Sequence, residues 1–421
     1  MIDMPGRFAV VVHGERDCLN CFHHHTGRSA FRFYSTRLTD AQLTMGTTDE
    51  PLKQCLELIA DEEKPDFVLV LGTCPVEVIG SVFNDVVLDV SKRTGIPMIP
   101  LKTSGLRLSS QQEMLDWLYQ TLASLDIEKA VEASNGKATA QRGLRALWRR
   151  HFGIEAEFGE SPDAHLKVNL LGLPPGRHPE MKWLLECMGI HVQGCYPVNA
   201  SADDWLRIRQ ATHTFVVDPG MFPRLLECLR SNGQEIHEIP APIGSRHCLE
   251  AIDTIAKACG RQEQANRLTA PIREQLEAEA RTLKQDWAGK RFAVVTRMRN
   301  SYQIQSVSSY GLGHLPAFLD TGMAVSLLIQ GAPDQSVQDS YREILDAMGF
   351  SIPFHMFSSP FELEELLKKH RFDAICVADQ GRHAARNAET PSIDPNRLQP
   401  GLCNVLSNLK LIDDCLSRGR N

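Results

Sequence analysis

Three cysteines stand where their thiolates could meet at one edge of a predicted sheet. Cys18 and Cys21 lie in GERDCLNCF, directly after the apolar run RFAVVVHG, and Cys74 lies in LVLGTCPVEVIG, directly after a second apolar run. A C-x-x-C pair has the spacing of many metal and redox sites. A third cysteine from a separate strand end favours a cluster over a redox pair, with buried packing thiols as the alternative.

The neighbours of these cysteines leave several interpretations open. Cys21 lies one helical turn beyond Cys18, so its side chain could face either the cluster or the protein core. Gly14 and Gly72 could let the backbone approach a bulky cofactor, although a strand-to-helix turn accounts for them equally well. His13, at a predicted strand end, could donate a hydrogen bond to a cluster sulfur.

The remaining cysteines have no convincing partners at metal spacing. Cys55 sits in the helical pattern KQCLELIAD, and Cys195 follows a predicted strand as a weaker candidate. Those inside helix or strand patterns are predicted to be core residues: Cys187, Cys228, Cys259 and Cys376. An iron–sulfur cube usually takes four protein ligands, so a partner chain could supply what this chain lacks.

Short Val- and Ile-rich runs alternate with helical periodicity along the whole chain, which predicts an α/β protein with three open, mostly parallel sheets. The first block covers residues 1–130, the second 166–260 and the third 289–421. A basic stretch at 131–165 and a charged stretch at 261–288 read as helical linkers between them. Ligands of such sheets bind beyond the carboxyl ends of the strands.

Composition and charge exclude several classes of protein. The 421 residues suffice for two to four domains at roughly 100 to 200 residues each. A net charge of −7 does not favour nucleic-acid binding. No apolar run reaches the length of about 18 residues that a membrane span needs, and the N-terminus lacks a secretory pattern, so we expect a cytoplasmic chain with reduced thiols. No G-x-x-x-x-G-K-[ST] phosphate loop occurs, so we expect no nucleotide hydrolysis by this chain.

The order of motifs in the first block resembles the nitrogenase component 1 superfamily. His13-Gly14 precedes Cys18, and then follow LTDAQLTMG (38–46), DEPLKQCLELIADEEKPD (49–66) and LGTCPVEVIG (71–80). This order is similar to the β-type chain, in which a histidine-glycine precedes the first cluster cysteine and a T-C-x-x-E-V-I-G motif carries the last. The resemblance implies three Rossmann-like, doubly wound domains, and it implies Cys18 and Cys74 as cluster ligands.

Departures from the family pattern bear on the cluster and on the subunit type. The family's middle cysteine is missing, since residues 31–36 read FRFYST, so Cys21 could replace it. The resemblance is thus compatible with an [8Fe-7S] P-cluster-like group or with a simpler [4Fe-4S] cube. Asp218 stands where the α-type chain has its cofactor cysteine, and residues 391–397 contain no histidine. The chain therefore resembles the electron-relaying β-type subunit, with the catalytic site in its partner.

The resemblance also implies partners and a substrate class. We expect an α-type subunit in an α2β2 heterotetramer and an ATP-dependent iron–sulfur reductase that docks transiently. Methylthio-alkane reductase, which cleaves carbon–sulfur bonds of small thioethers, is the first choice. Tetrapyrrole reductases, the nickel-tetrapyrrole reductive cyclase and cofactor-assembly scaffolds are the alternatives within the superfamily. A metal-free, doubly wound protein that binds a sugar or nucleotide is the alternative outside it.

Overall fold

A computed structural model describes most of the chain. The described residues are 8–18, 32–65, 67–96, 98–103, 113, 116, 119–120, 123, 166–173, 179–197, 200, 202–297, 315–319, 321–331, 334–347, 351–378, 381–399 and 401–418. Cys21 and the predicted linker 131–165 lie outside them. Among the described helices, none is long and apolar enough to span a bilayer.

The first block forms a parallel four-stranded sheet in the order β2-β1-β3-β4. Its strands are β1 (Phe8–His13), β2 (Arg32–Ser35), β3 (Phe67–Gly72) and β4 (Met98–Lys102), and its described helices are α1 (Asp40–Met45), α2 (Asp49–Glu62), α3 (Cys74–Val78) and α4 (Asn84–Thr94). Alternation along β1 feeds two cores, because Val11 packs with the α2 residue Leu52 whereas Val10 packs toward the second sheet.

The second block is a parallel sheet in the order β6-β5-β7-β8. Its strands are β5 (Lys167–Leu171), β6 (His191–Tyr196), β7 (His213–Val216) and β8 (Glu235–Glu238), and its helices are α5 (Pro179–Cys187), α6 (Ala202–Arg207), α7 (Pro223–Ser231) and α8 (Ser245–Ala258), followed by α9 (Gln262–Trp287). Short 3₁₀ turns cover Ile208–Gln210 and Pro219–Met221.

The third block is a parallel sheet in the order β11-β10-β9-β12-β13. Its strands are β9 (Arg291–Arg297), β10 (Ala324–Gln330), β11 (Phe354–Phe357), β12 (Ala374–Cys376) and β13 (Ser392–Ile393). Its described helices are α10 (Leu315–Leu319), α11 (Gln335–Ala347), α12 (Pro360–His370), α13 (Arg382–Asn387) and α14 (Val405–Arg418). The prediction of an α/β protein with several parallel sheets is confirmed, and the domain boundaries themselves stay a prediction.

Helix α9, which covers nearly all of the predicted charged stretch, ties the second and third sheets together. Its last residue, Trp287, is buried and donates from Nε1 to Asp413 Oδ1 at 2.9 Å. Arg273 of α9 pairs with Asp253 of α8 at 2.6 Å. One apolar cluster runs from the second sheet through these helices to the third sheet, so the two sheets share a core.

The first and second sheets also share an apolar cluster, in which Leu69 and Leu101 pack with residues such as Leu171 and Phe222. Buried Asp116 strengthens this junction, because its two carboxylate oxygens accept the backbone N–H groups of Arg224 and Leu225 at 2.9 and 3.1 Å. Those N–H groups belong to the first turn of α7, which has no helical acceptors for them.

Three cysteine predictions need correction. Cys195 lies inside β6, not after it, because Gly194 occupies a strand position beside an irregularity in the β5–β6 register. Cys228 is only half-buried, with Arg209 Nη2 at 3.8 Å from its sulfur. Cys259 is half-buried as well and follows the end of α8.

Candidate functional site

The first sheet has a topological switch point between β1 and β3. From β1 the chain crosses to β2 on one side, and the later strands β3 and β4 extend on the other side. Strands β1 and β3 are neighbours paired over their full length, from Phe8 opposite Phe67 to His13 opposite Gly72. Open α/β sheets bind ligands outside the carboxyl ends of the strands at such a point.

Two of the candidate cysteines follow the strands that flank this point. Cys18 lies in a helical turn five residues after the end of β1 and is half-buried. Cys74 is the first residue of α3, two residues after β3, and its side chain is exposed. The loops that carry them therefore leave from adjacent strand ends, whereas Cys21 lies outside the described residues and stays a predicted ligand.

Three threonines form hydrogen bonds that link the ends of neighbouring strands below these loops. Each follows directly after a strand, and they are Thr36, Thr73 and Thr103. Thr73 donates to the carbonyl oxygen of His13 from its hydroxyl at 2.8 Å and from its N–H at 3.2 Å. The Thr36 hydroxyl oxygen accepts from the Gly14 N–H at 3.0 Å. The third threonine donates twice to the carbonyl oxygen that ends β3, at 3.0 and 3.1 Å.

The short helix α3 holds Cys74 at the surface. Val76 of this helix is fully buried in the core of the first sheet, and Thr73, its N-cap, is buried as well. Because Thr73 and Val76, on either side of Cys74, both point into the protein, the Cys74 side chain points toward solvent. This arrangement differs from a packing thiol, which would be covered by its neighbours.

Packing within the chain accounts for both glycines of the site. A Cβ atom on Gly14 would lie 2.1 Å from the Thr73 hydroxyl oxygen, and one on Gly72 would lie 2.6 Å from the Phe83 ring. Neither position needs a left-handed backbone. The glycines therefore allow β1, β3 and their loops to approach each other closely, and contact between them and a cofactor stays a proposal.

His13 is a buried, neutral imidazole at the end of β1. Burial lowers its pKa to about 4. Its Nδ1 lies 3.3 Å from the Thr36 hydroxyl oxygen, and its ring meets the Phe83 ring edge to face at 5.4 Å between centroids. Its Nε2 is buried and finds no hydrogen-bond partner among the described residues. Buried polar atoms are usually paired, so this nitrogen is a candidate donor or acceptor for a bound group.

Burial disfavours the thiolate form of five cysteines elsewhere in the chain. Burial raises the pKa of Cys55 to about 11, that of Cys195 to about 12 and that of Cys259 to about 11. Burial also raises the pKa of Cys376 and of Cys403. Metal ligation uses the thiolate, so a raised pKa agrees with the predicted packing role of Cys376 and disfavours Cys195 as a ligand.

An exposed apolar surface adjoins Cys74. It consists of Val78, Ile79 and Val82, whose side chains are 69%, 40% and 63% exposed. We call these three residues the Cys74 patch. The loop that carries it is held to the start of α2 by a 2.9 Å hydrogen bond between the hydroxyls of Ser81 and Thr48. Clustered exposed apolar residues of this kind are typical of interaction surfaces.

Three linked sheets of parallel strands, each flanked by helices, define an α/β protein of the Rossmann-like class. Residues 7–403 match the family described as nitrogenase component 1 type oxidoreductase. The chain belongs to that family, which confirms the resemblance seen in the motifs of the first block.

Individual relatives are distant. The chain is 26% identical over 167 residues to the light-independent protochlorophyllide reductase subunit N of Heliobacterium mobile, covering 39% of this chain and 36% of that protein. It is 22% identical over 379 residues to the nitrogenase iron-molybdenum cofactor biosynthesis protein NifE of Sinorhizobium fredii, covering 86% and 67%. The solved structure of nitrogenase Cp1 at pH 6.5 has a TM-score of 0.68 at 14% identity, covering 98% and 86%, and shows the same fold.

The residues at the switch point fit an iron–sulfur cluster in kind. Thiolate sulfur is the usual ligand of such clusters, and of the two thiols here Cys18 is half-buried and Cys74 is exposed. Two described thiols are fewer than the four ligands of a cube, so the described residues cannot complete one alone.

Among the described residues, the loops that follow the strands of the second sheet carry no thiol, and Cys195 lies within β6 at its next-to-last position. Asp218 follows β7 at the switch point between β5 and β7, and it is buried with a left-handed backbone at φ 64°. A non-glycine residue in that region is strained, which is common at functional positions.

Proposed function

We propose that this chain is the β-type, electron-relaying subunit of a cytoplasmic nitrogenase-like reductase. In this proposal Cys18 and Cys74 hold an iron–sulfur cluster, either P-cluster-like or a [4Fe-4S] cube, together with ligands from an α-type catalytic subunit. The observation that carries the proposal is the position of both cysteines after adjacent strands at the switch point of the first sheet. Cys21 is a third candidate ligand.

The incomplete ligand set supports a shared cluster. Four protein ligands are usual for a cube, and a partner that supplies the missing ones would also cover the exposed Cys74 thiol. The Cys74 patch supports the same partner, because Val78 and Val82 leave apolar area in water that an interface would bury. An α2β2 heterotetramer is the assembly proposed.

Each residue of the site has a proposed role in electron relay. When bound, the cluster supplies one-electron storage at a potential set by ligand number, burial and hydrogen bonds to sulfur. Cys18 and Cys74 bind it, and the threonine hydrogen bonds hold their loops in place. The unpartnered Nε2 of His13 supports a hydrogen bond from this neutral imidazole to the cluster. An ATP-dependent iron–sulfur reductase would deliver the electrons, since the sequence has no phosphate-binding loop.

For the substrate we propose a methylthio-alkane, whose carbon–sulfur bond would be cleaved with two electrons and two protons to give a thiol and a hydrocarbon. The relatives favour two other candidates. A similarity to a protochlorophyllide reductase subunit supports tetrapyrrole reduction. The nickel-tetrapyrrole reductive cyclase reaction is a related alternative. A similarity to a cofactor biosynthesis protein supports a role as an assembly scaffold.

Turnover by the co-expressed complex separates these candidates. The complex would be purified without oxygen and supplied with the reductase, ATP and either a methylthio-alkane or protochlorophyllide. Release of thiol and hydrocarbon in equal amounts supports our proposal, and it should fall to background in Cys74→Ala and persist in Cys55→Ala, the matched control in the same domain. Reduction of the tetrapyrrole alone would replace the proposed substrate. Loss of neither activity in Cys74→Ala would refute the relay role.

A further inference from the structure

Two histidines and a glutamate gather on one face of the second sheet, far along the chain from the cysteine loops. His213 is the first residue of β7, and Glu235 and His237 lie on β8, the edge strand. The register places His213 opposite Glu235 and Phe215 opposite His237. Because side chains alternate along a strand, His213 and Phe215 of β7 and Glu235 and His237 of β8 project from the same face of the sheet. The group begins at the amino ends of these strands, whereas Asp218 lies beyond their carboxyl ends.

The ligand atoms of this group have the separations of a metal site. His213 Nδ1 and His237 Nε2 are 3.2 Å apart, and Glu235 Oε2 lies 3.7 Å from the first and 3.6 Å from the second. The point in their plane that is equidistant from the three atoms is about 2.0 Å from each, so an ion displaced slightly out of that plane, toward a fourth ligand, keeps distances close to the usual Zn–N and Zn–O bond lengths. Within the part of the chain that the structure describes, this is the single group of three with such spacing.

The protein holds the two imidazoles in place. The Phe215 ring is fully buried and stacks on the His237 ring at 5.1 Å and on the His213 ring at 6.2 Å. The side chain of His213 is only 13% exposed and that of His237 is 27% exposed. Rings fixed by packing lose little conformational freedom on binding an ion, which favours a site over a chance encounter of surface groups.

A hydrogen bond between the two imidazoles is the simpler explanation, and it covers only part of the geometry. It needs one N–H donor and one acceptor, and the approach of the Glu235 carboxylate to both nitrogens then requires a protonated imidazole, whereas a bound cation is compatible with two neutral imidazoles. A shared cation accounts for all three separations at once.

We propose that His213, Glu235 and His237 bind one divalent transition-metal ion of the zinc class, with a water molecule at the fourth position. Two imidazoles and a carboxylate are ligands that Zn²⁺ accepts readily. The ion would join the edge strand β8 to β7 through side chains as well as through backbone hydrogen bonds. This site lies in the second sheet and is independent of the proposed cluster in the first.

Zinc titration of the full chain tests this site. The chain would be stripped with a chelator, returned to reducing buffer and titrated with Zn²⁺ by calorimetry, with thermal unfolding measured before and after. His237→Gln and Glu235→Gln remove one ligand each, and the latter changes a side chain that is 70% exposed, so it should fold even if the former does not. The matched control is His370→Gln, which alters another pair of neighbouring histidine rings, His355 and His370, with 4.3 Å between ring centroids.

Zinc bound by other thiols and histidines is common to wild type and both ligand variants, and His370→Gln shows the effect of removing a histidine outside the site. We expect wild type and His370→Gln to bind one more equivalent of zinc than the two ligand variants. The zinc affinity of this site should fall at least tenfold in the ligand variants, because replacing residues that only hydrogen-bond to metal ligands already lowers metal affinity about 10- to 100-fold. Equal stoichiometry and equal zinc-dependent stabilisation in all four proteins would overturn the proposal. Iron content of the complex should not change in these variants, so this result stands apart from the cluster.

Discussion

Replacing Gly14 with alanine should disturb the switch point in a way the structure makes quantitative. The new Cβ would lie 2.1 Å from the Thr73 hydroxyl oxygen and 2.8 Å from its methyl group, so the Thr73 side chain must move. Overpacking of this kind costs about 1 to 3 kcal/mol. Displacing the hydroxyl also breaks its 2.8 Å hydrogen bond to the His13 carbonyl oxygen, which contributes about 1 kcal/mol. The expected loss is about 2 to 4 kcal/mol.

A double-mutant cycle measures whether this contact is the cause. Thr73→Ala removes the two atoms that clash most, so Gly14→Ala should cost about 1 to 2 kcal/mol less in that background. Hydrogen exchange of peptides from β1 and β3 reports the local unfolding free energy. Gly95→Ala is the matched control, because nothing lies within 4 Å of its Cβ position and only its positive φ disfavours alanine. Additive effects in the cycle, or a Gly14→Ala loss no larger than that of the control, would refute the reasoning.

Three further substitutions test the electrostatics and the joints of the fold. The pKa of His13 is lowered to about 4, so the unfolded chain binds a proton below pH 6.5 that the folded chain does not bind. The free energy of unfolding of wild type, measured with urea, should therefore fall by up to about 3 kcal/mol between pH 6.5 and 4 relative to that of His13→Gln. Parallel pH curves for the two proteins would contradict this. Asp116→Asn should cost about 1 to 3 kcal/mol, because it weakens acceptance of two backbone N–H groups at the start of α7, and an unchanged unfolding midpoint would contradict that origin. Trp287→Phe should cost about 1.5 to 3 kcal/mol by loss of the bond to Asp413, and calorimetry showing the same melting temperature as wild type would argue against a joint at that position.

The architecture was within reach of sequence reasoning because parallel strands buried on both faces leave continuous apolar runs. FAVVVH and FVLVLG became the paired central strands β1 and β3, and the charged stretch after residue 260 became α9. Cys195 was placed after its strand because a glycine inside a strand resembles a strand end. Its neighbour Gly194 stays in the strand at a register irregularity that depends on pairing with β5, which no local pattern encodes.

The sequence indicates the two cysteines of the candidate site, and it does not indicate the residues that hold their loops in place. Cys18 and Cys74 were identifiable because each follows an apolar run, and parallel strand ends share one edge of a sheet. The role of Gly14 depends on Thr73, 59 positions away in sequence, so only the fold reveals it. The grouping of His213 with residues of β8 went unnoticed for the same reason, since cross-strand register and not sequence spacing brings these ligands together.

Iron and acid-labile sulfide in the anaerobically purified complex test the central claim most directly. Wild type and Cys55→Ala should contain equal amounts of both, and Cys18→Ala and Cys74→Ala should each lose the cluster, because each removes a thiolate that the proposed partner cannot replace. Cys21→Ser in the same series decides whether a third thiolate from this chain takes part. Iron and sulfide that stay at the wild-type level in both Cys18→Ala and Cys74→Ala would contradict the account.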